Sequence, residues 1–190
     1  MHPALNREQA EIIFQRSEEI VSSVDIETAV ARMAGEIKQA VGDEFPLVLS
    51  VMGGAAVFTG MLLPRLDFPL EFDYIHLTRY RNMTLGGEMQ WRVSPAESVK
   101  DRVVLVLDDI LDGGQTMAAM RDRILEMGAR RFLSAVLCEK DPTPGSSDVK
   151  PLQPDFCGCV VPNRYVFGCG MDAQGYWRNL PAIRALTAQT

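Results

Sequence analysis

Three carboxylates, two glycines and a hydroxyl residue crowd together in Asp108-Asp109-Ile110-Leu111-Asp112-Gly113-Gly114-Gln115-Thr116. An uninterrupted aliphatic run, Val103–Leu107, precedes them. Such a run predicts a buried strand, and ligands of open α/β sheets bind at the carboxyl ends of strands. Glycines let successive N–H groups turn inward around a phosphate, and a helix starting near Gln115 adds a favourable dipole. Thr116 can donate one further hydrogen bond. The acids would repel a phosphate placed directly on them. They suit sugar hydroxyls, or a magnesium ion shared between hydroxyls and a pyrophosphate. Sugar hydroxyls on acids and a phosphate on the glycine turn describe one ligand, a ribose 5-phosphate.

Holding such a turn requires a sheet covered by helices, and the pattern of the chain supplies one. Asn6-Arg7-Glu8-Gln9 reads as a capping box opening a helix through about Val21. Asp25 is placed to cap a second helix, with Val30, Met33, Ile37 and Val41 at helical spacing. Phe45–Met52 is an apolar strand ending in Gly53-Gly54, and Ala55–Leu66 has helical composition. Leu70–Leu77 predicts a strand, and Thr78–Pro95 a long polar loop, a kind of segment usually functional inside a compact domain. A helix over Gln115–Met127 ends at Gly128, a natural residue for the position after a helix. Phe132–Cys138 is the next strand, and Asp141–Pro154, with four prolines, is a surface loop. Phe156–Val161 and Tyr165–Phe167 are strand-like, and a last short helix is expected from Leu180. Apolar strands alternating with helices give an α/β fold with a central, mainly parallel sheet flanked by helices. One domain over 1–190 is expected: N-terminal helices to about 44, a core over about 45–154, and a small C-terminal lobe over about 155–190.

Bulk properties narrow the function. The net charge is −6 with 47% hydrophobic residues, an ordinary globular composition with no basic field for nucleic acid. A phosphate must therefore be held locally. The first residues carry no apolar signal-peptide core, and no window is long and apolar enough to cross a bilayer. A cytoplasmic protein without membrane or nucleic-acid partners is the expectation. Cys138, Cys157, Cys159 and Cys169 lack the spacing of zinc knuckles and read as reduced, packed thiols.

The acid–glycine stretch resembles the phosphoribosyl-pyrophosphate (PRPP) signature of type I phosphoribosyltransferases. Val51-Met52-Gly53-Gly54 sits where that family has its pyrophosphate loop. Arg79-Tyr80 begins the position of its mobile loop, and Lys140 follows a strand as its base-reading lysine does. Pro154-Asp155-Phe156, Tyr165-Val166-Phe167-Gly168 with Asp172, and Tyr176-Trp177-Arg178-Asn179-Leu180 match its base-covering hood in order and spacing. The ordered set is similar to the hypoxanthine-guanine branch.

The resemblance implies transfer of ribosyl phosphate from PRPP to N9 of a 6-oxopurine, in purine salvage, with Mg²⁺ as cofactor. It implies Asp112 as the catalytic base near purine N7, a residue whose plain alternative is a helix N-cap. Asp108, Asp109, Gly113, Gly114, Gln115, Thr116, Met52, Gly53 and Arg178 would bind PRPP. Lys140, Tyr165 and Val166 would bind the base, and Asp172 with Asp108 and Asp109 would serve the metal. A homodimer or homotetramer is implied. Met52 stands where the purine branch often has lysine, and Gly113 where a Thr or Ser hydroxyl is usual. A regulator sensing PRPP or a nucleotide, or a transferase for xanthine, is the alternative.

Overall fold

The structure is a computed structural model that describes residues 5–79, 89–95, 97–141 and 150–187. Six strands form the larger sheet, in the order β4-β3-β2-β5-β6-β7. These are β2 (Leu47–Val51), β3 (Glu71–Arg79), β4 (Met89–Val93), β5 (Val103–Leu111), β6 (Arg131–Lys140) and β7 (Phe156–Val161). Neighbours from β3 through β7 run parallel, and β4 alone pairs antiparallel at the edge. The central strands β2 and β5 are aliphatic on both faces because both faces are covered.

Two apolar layers result. On one face, Ile26, Val30, Met33 and Ile37 of α2 (Ser23–Val41) and Phe58 of α3 (Ala56–Leu62) pack on Val48, Leu105 and Leu137. On the other, Met117, Met120 and Ile124 of α4 (Gln115–Glu126) pack on Leu49, Val104 and Val136. This is the expected mainly parallel sheet between helices.

Local expectations fail where short-range chemistry competes with periodicity. The capping box at Asn6 forms, with Asn6 Oδ1 accepting from the Gln9 N–H at 2.9 Å and Gln9 Oε1 accepting from the Asn6 N–H at 2.9 Å. The helix it opens, α1 (Arg7–Gln15), stops short of Val21, because Ser17–Val21 is a strand, β1. Ser22, not Asp25, caps α2; Asp25 instead reaches back to the Ser22 hydroxyl at 2.6 Å. The tail is also a strand, β9 (Ile183–Leu186), where a helix was expected. Ile183 and Ala185 are buried and alternate with half-buried Arg184 and Leu186, a period of two. Thr78–Pro95 is not a loop throughout, since Met89–Val93 turns back along β3.

β1, β9 and β8 (Val166–Phe167) make a second, three-stranded sheet. The expected division at residue 155 does not follow the sheets: β7 belongs to the larger one, and the small sheet borrows β1 from the N-terminal region. α1 is bound to the same lobe. The Trp177 indole N–H donates to the Ala10 carbonyl at 2.7 Å, Tyr176 Oη to the Leu5 carbonyl at 2.9 Å, and Phe14 lies 5.2 Å from the Trp177 ring. The Arg184 guanidinium stacks over Phe14 at 4.4 Å.

Candidate active site

β5 does not end at Leu107. It carries the acids within its ladder, pairing Asp108 with Val136, Ile110 with Cys138 and Leu111 with Glu139. The carboxylates are thereby held on sheet backbone rather than on a loose loop. The chain leaves the strand at Asp112, passes Gly113, and turns at Gly114, whose φ of 78° is left-handed and suits glycine. Gly114, not Asp112, occupies the N-cap position of α4. The Ala118 N–H donates to the Gly114 carbonyl at 2.9 Å and closes the first turn of α4. Asp108, Asp112, Gly113, Gly114 and Thr116 line one cavity of about 190 Å³.

Asp112, on the wall of this cavity, meets Lys140, with Nζ 3.1 Å from Oδ2. Lys140 closes β6 beside the end of β5, which is why residues distant in sequence converge.

The adjacent acids are electrostatically uncomfortable. Burial, and next the charge of Asp109, pushes the Asp108 carboxyl well above the usual carboxylate range. Burial also raises Asp109, opposed by a hydrogen bond from Asp108 and by the Ile110 amide and Arg178. The folded protein therefore binds a proton here more readily than the unfolded chain does. Stability is lost as pH rises through the raised range, and the penalty disappears once both states are protonated, below about pH 4. Asp108→Asn keeps an acceptor for the Asp109 N–H (2.9 Å) and removes the like charge. It should raise the Tm of the ligand-free protein at pH 7.5, by about 2–4 °C per kcal/mol relieved. Thermal unfolding at pH 7.5 and pH 4 checks this: the gain should fade at pH 4, and a lower Tm at pH 7.5 would contradict it.

Asp109 faces the loop after β2. A Cβ on Gly54 would lie 1.9 Å from Asp109 Oδ2, so the carboxylate rests on bare backbone. A Cβ on Gly170 would lie 2.0 Å from the Gly54 carbonyl oxygen, which brings the small lobe onto the same point. Arg178 then donates to the Gly170 carbonyl at 2.7 Å and to Asp172 Oδ1 at 2.6 Å. Asp172 Oδ2 accepts from the Gly175 N–H at 2.7 Å, so Asp172 acts here as the anchor of Arg178. The Tyr165 ring is 48% exposed, and its hydroxyl donates to the Asp172 carbonyl at 3.3 Å. Val166 is buried in β8.

Some expected residues stand apart. The Met52 N–H bonds the Ile75 carbonyl at 2.8 Å, so that amide closes the sheet and is not offered to a pyrophosphate. Gly53, across a cis Met52–Gly53 peptide, has open space on its Cβ side. The Gln115 side chain folds over Gly113, where a Cβ would lie 2.3 Å from Oε1. Arg79 ends β3 opposite Met89, while Tyr80 lies outside the described residues. Asp155, part of the hood motif, instead ties β6 to β7 by accepting from Ser134 N–H (2.8 Å) and Oγ (3.0 Å).

The Gly54–Asp109 and Gly54–Gly170 approaches were not foreseen. The Gly-Gly pair after β2 was their one signal. Lys150 was missed as well: its Nζ lies 2.8 Å from Glu139 Oε1 and 2.6 Å from the Lys140 carbonyl.

No group of three or more His, Cys, Asp or Glu side chains among the described residues forms a metal cage. The acids of β5 fit a different donor set, in which Mg²⁺ takes one or two carboxylates and completes its shell with substrate oxygens and water. Burial raises the thiols, Cys138 well above its ordinary value and Cys159 and Cys169 to about 11, which fits packed, unreactive cysteines.

Comparison with known proteins places this geometry. Residues 16–161 match the family model described as the phosphoribosyl transferase domain. The hypoxanthine-guanine-xanthine phosphoribosyltransferase of Tritrichomonas foetus is 35% identical over 162 residues, covering 85% of this chain and 87% of that protein. The hypoxanthine-guanine phosphoribosyltransferase of Bacillus subtilis (strain 168) is 31% identical over 168 residues, covering 88% of this chain and 91% of that protein. A solved hypoxanthine-guanine-xanthine phosphoribosyltransferase superposes with a TM-score of 0.73 at 30% identity, over 90% of this chain and 94% of that one. With the acid–glycine turn at the end of β5 and matches spanning most of its length, the chain belongs to the phosphoribosyl transferase family.

Proposed function

We propose that this enzyme transfers the ribosyl phosphate of PRPP to N9 of hypoxanthine or guanine, giving the nucleoside monophosphate and pyrophosphate. The observation that supports it most is that Asp112 and the Gly113-Gly114 turn line one cavity, with Lys140 paired to Asp112 at 3.1 Å. In this reading the amides from Gly113 to Thr116 receive the 5′-phosphate, with the α4 dipole behind them. Asp108 and Asp109 hold the ribose hydroxyls.

The new bond joins purine N9 to the ribose carbon, and the bond from that carbon to pyrophosphate oxygen breaks, the electron pair leaving with pyrophosphate. Positive charge grows on the ring as it does at a glycosidic centre. Asp112 takes the proton from purine N7 as N9 attacks, a contribution of about 10²–10⁴ in rate for a well-placed base. Lys140, whose ammonium has three donors, gives one to Asp112 and offers another to purine O6, which sets the base and the reader of the 6-oxo group side by side. Tyr165 stacks on the ring and the Val166 backbone meets its edge. Arg178, anchored on Asp172, faces the pyrophosphate. Mg²⁺, when bound, neutralises the leaving pyrophosphate. A homodimer or homotetramer is the expected assembly, which sedimentation would measure.

The test is turnover of PRPP and Mg²⁺ with hypoxanthine, guanine, xanthine, adenine and uracil. Nucleotide should form with hypoxanthine or guanine and not with adenine or uracil. Tight PRPP binding without transfer to any base would make the protein a sensor instead.

Gly113 offers a second check. Its backbone is not in the left-handed region, and the nearest obstacle to a side chain is the movable end of Gln115. Gly113→Thr should restore a hydroxyl donor and lower the KM for PRPP by about tenfold, the worth of one charge-assisted hydrogen bond. An unchanged or raised KM would mean that Gln115 already supplies that donor.

A further inference from the structure

One ammonium joins the two halves of the proposed site without belonging to either. Lys150 is 10% exposed and its partner Glu139 16%, so the pair is nearly withdrawn from solvent. Nζ donates to Glu139 Oε1 at 2.8 Å and to the Lys140 carbonyl at 2.6 Å. Glu139 and Lys140 are the last two residues of β6. Lys150 thus holds the backbone of the residue whose side chain meets Asp112.

The same short segment passes beside the phosphate turn. A side chain at Gly114 would lie 3.4 Å from the Leu152 carbonyl oxygen and from Pro151 Cδ, and 3.6 Å from Lys150 Cβ. Leu152 is itself buried against the α4 face of the sheet. The stem of Lys150 therefore passes beside the turn while its head fixes the end of β6.

A surface ion pair would be a sufficient account if the ammonium were solvated. It is mostly withdrawn from water, and a pair this deep contributes little net stability, because desolvation offsets the attraction. What the arrangement does supply is geometry. The Lys140 side chain can meet purine O6 at a fixed distance from the 5′-phosphate only if the end of β6 and the Gly114 turn keep one relative position.

We infer that Lys150 is a positioning residue for 6-oxopurine recognition, setting Lys140 relative to the phosphate turn. This rests on the proposed transferase reading, with Lys140 as the reader of O6.

Three variants test it. Lys150→Met keeps the stem against Gly114 and removes both hydrogen bonds. Glu139→Gln with Lys150→Met also removes the charge left behind, so a fold that tolerates neither single change can still be measured. Lys150→Arg restores a cation. The readouts are KM for hypoxanthine, KM for PRPP, and calorimetric affinity for inosine and adenosine 5′-monophosphates, with Tm alongside. Lys150→Met and the double variant should raise KM for hypoxanthine about tenfold and narrow the preference for the inosine nucleotide by a similar factor. KM for PRPP should stay within about twofold, and Lys150→Arg, which restores a donor cation in a different shape, should recover part of the loss. A fall in Tm with both KM values and the nucleotide preference unchanged, or an equal rise in both KM values, would overturn the inference. If the wild-type protein forms no nucleotide yet prefers the inosine nucleotide, and Lys150→Met abolishes that preference, the transferase reading fails and the role of Lys150 stands. A wild-type protein with no such preference would overturn both.

Discussion

Asp112→Asn should lower kcat by about 10²–10⁴ while KM for PRPP changes little. The carboxylate lies on the cavity wall and its Oδ2 faces Lys140 at 3.1 Å. It does not cap α4, because Gly114 holds that position, so the helix should not depend on it. Asparagine fills the same volume and can still accept a hydrogen bond from Lys140, but it cannot take the N7 proton. Steady-state kinetics with PRPP and hypoxanthine, together with Tm, separate a chemical from a structural role. The expected pattern is a large loss in kcat at nearly constant Tm. Retained turnover would remove Asp112 from the reaction, and a fall in Tm matching the loss of rate would make it a structural residue.

Gly54→Ala should be nearly as damaging, although Gly54 carries no chemistry of its own. Its α-carbon is the surface on which Asp109 rests, and an added methyl would sit 1.9 Å from Oδ2. Its carbonyl lies against Gly170, which blocks retreat toward the small lobe. Asp109 would have to turn away, and Gly170 carries the carbonyl that Arg178 grips. Misplacing a group by about 1 Å costs roughly a hundredfold in rate, and at least that loss is expected in kcat/KM for PRPP. Gly60→Ala, on the exposed side of α3, is the control, because its Cβ would meet nothing within 4 Å. Equal effects of the two substitutions would show that the close approach to Asp109 does not matter.

How much of this was legible in the residues differs from element to element. The buried strand Val103–Leu107 and the turn after it were readable, because aliphatic runs, glycines and clustered acids each have few physical explanations. α2 was readable from its periodicity, α3 from its composition, and α4 from its stop at Gly128. That β5 continues through Asp108–Leu111 was not readable, because acids seldom lie inside a strand. They are tolerated here because β6 runs alongside as far as Lys140 and supplies ladder partners. β1 was absorbed into a helix because Ile20 and Val21 extend the apolar spacing of Ile12 and Ile13. What makes Ser17–Val21 a strand is its antiparallel partner Ile183–Leu186, at the far end of the chain.

The site shows the same division. Individual residue types could be read, but contacts between distant segments could not. Nothing in the local sequence says that Gly54 meets both Asp109 and Gly170, or that Lys150 reaches the Lys140 carbonyl. Both depend on the path of the backbone in three dimensions. The fate of Asp172 illustrates the point. The resemblance assigns it to a metal, and only the fold shows that its two oxygens also accept from Arg178 and Gly175.

A crystal structure of the protein soaked with inosine 5′-monophosphate would be the most direct measurement. The phosphate should sit in the turn, within hydrogen-bonding distance of amides between Gly113 and Thr116, with the ribose hydroxyls toward Asp108 and Asp109 and the base between Lys140 and Tyr165. A nucleotide bound elsewhere, leaving the Gly113–Thr116 turn to water, would contradict the assignment of this site.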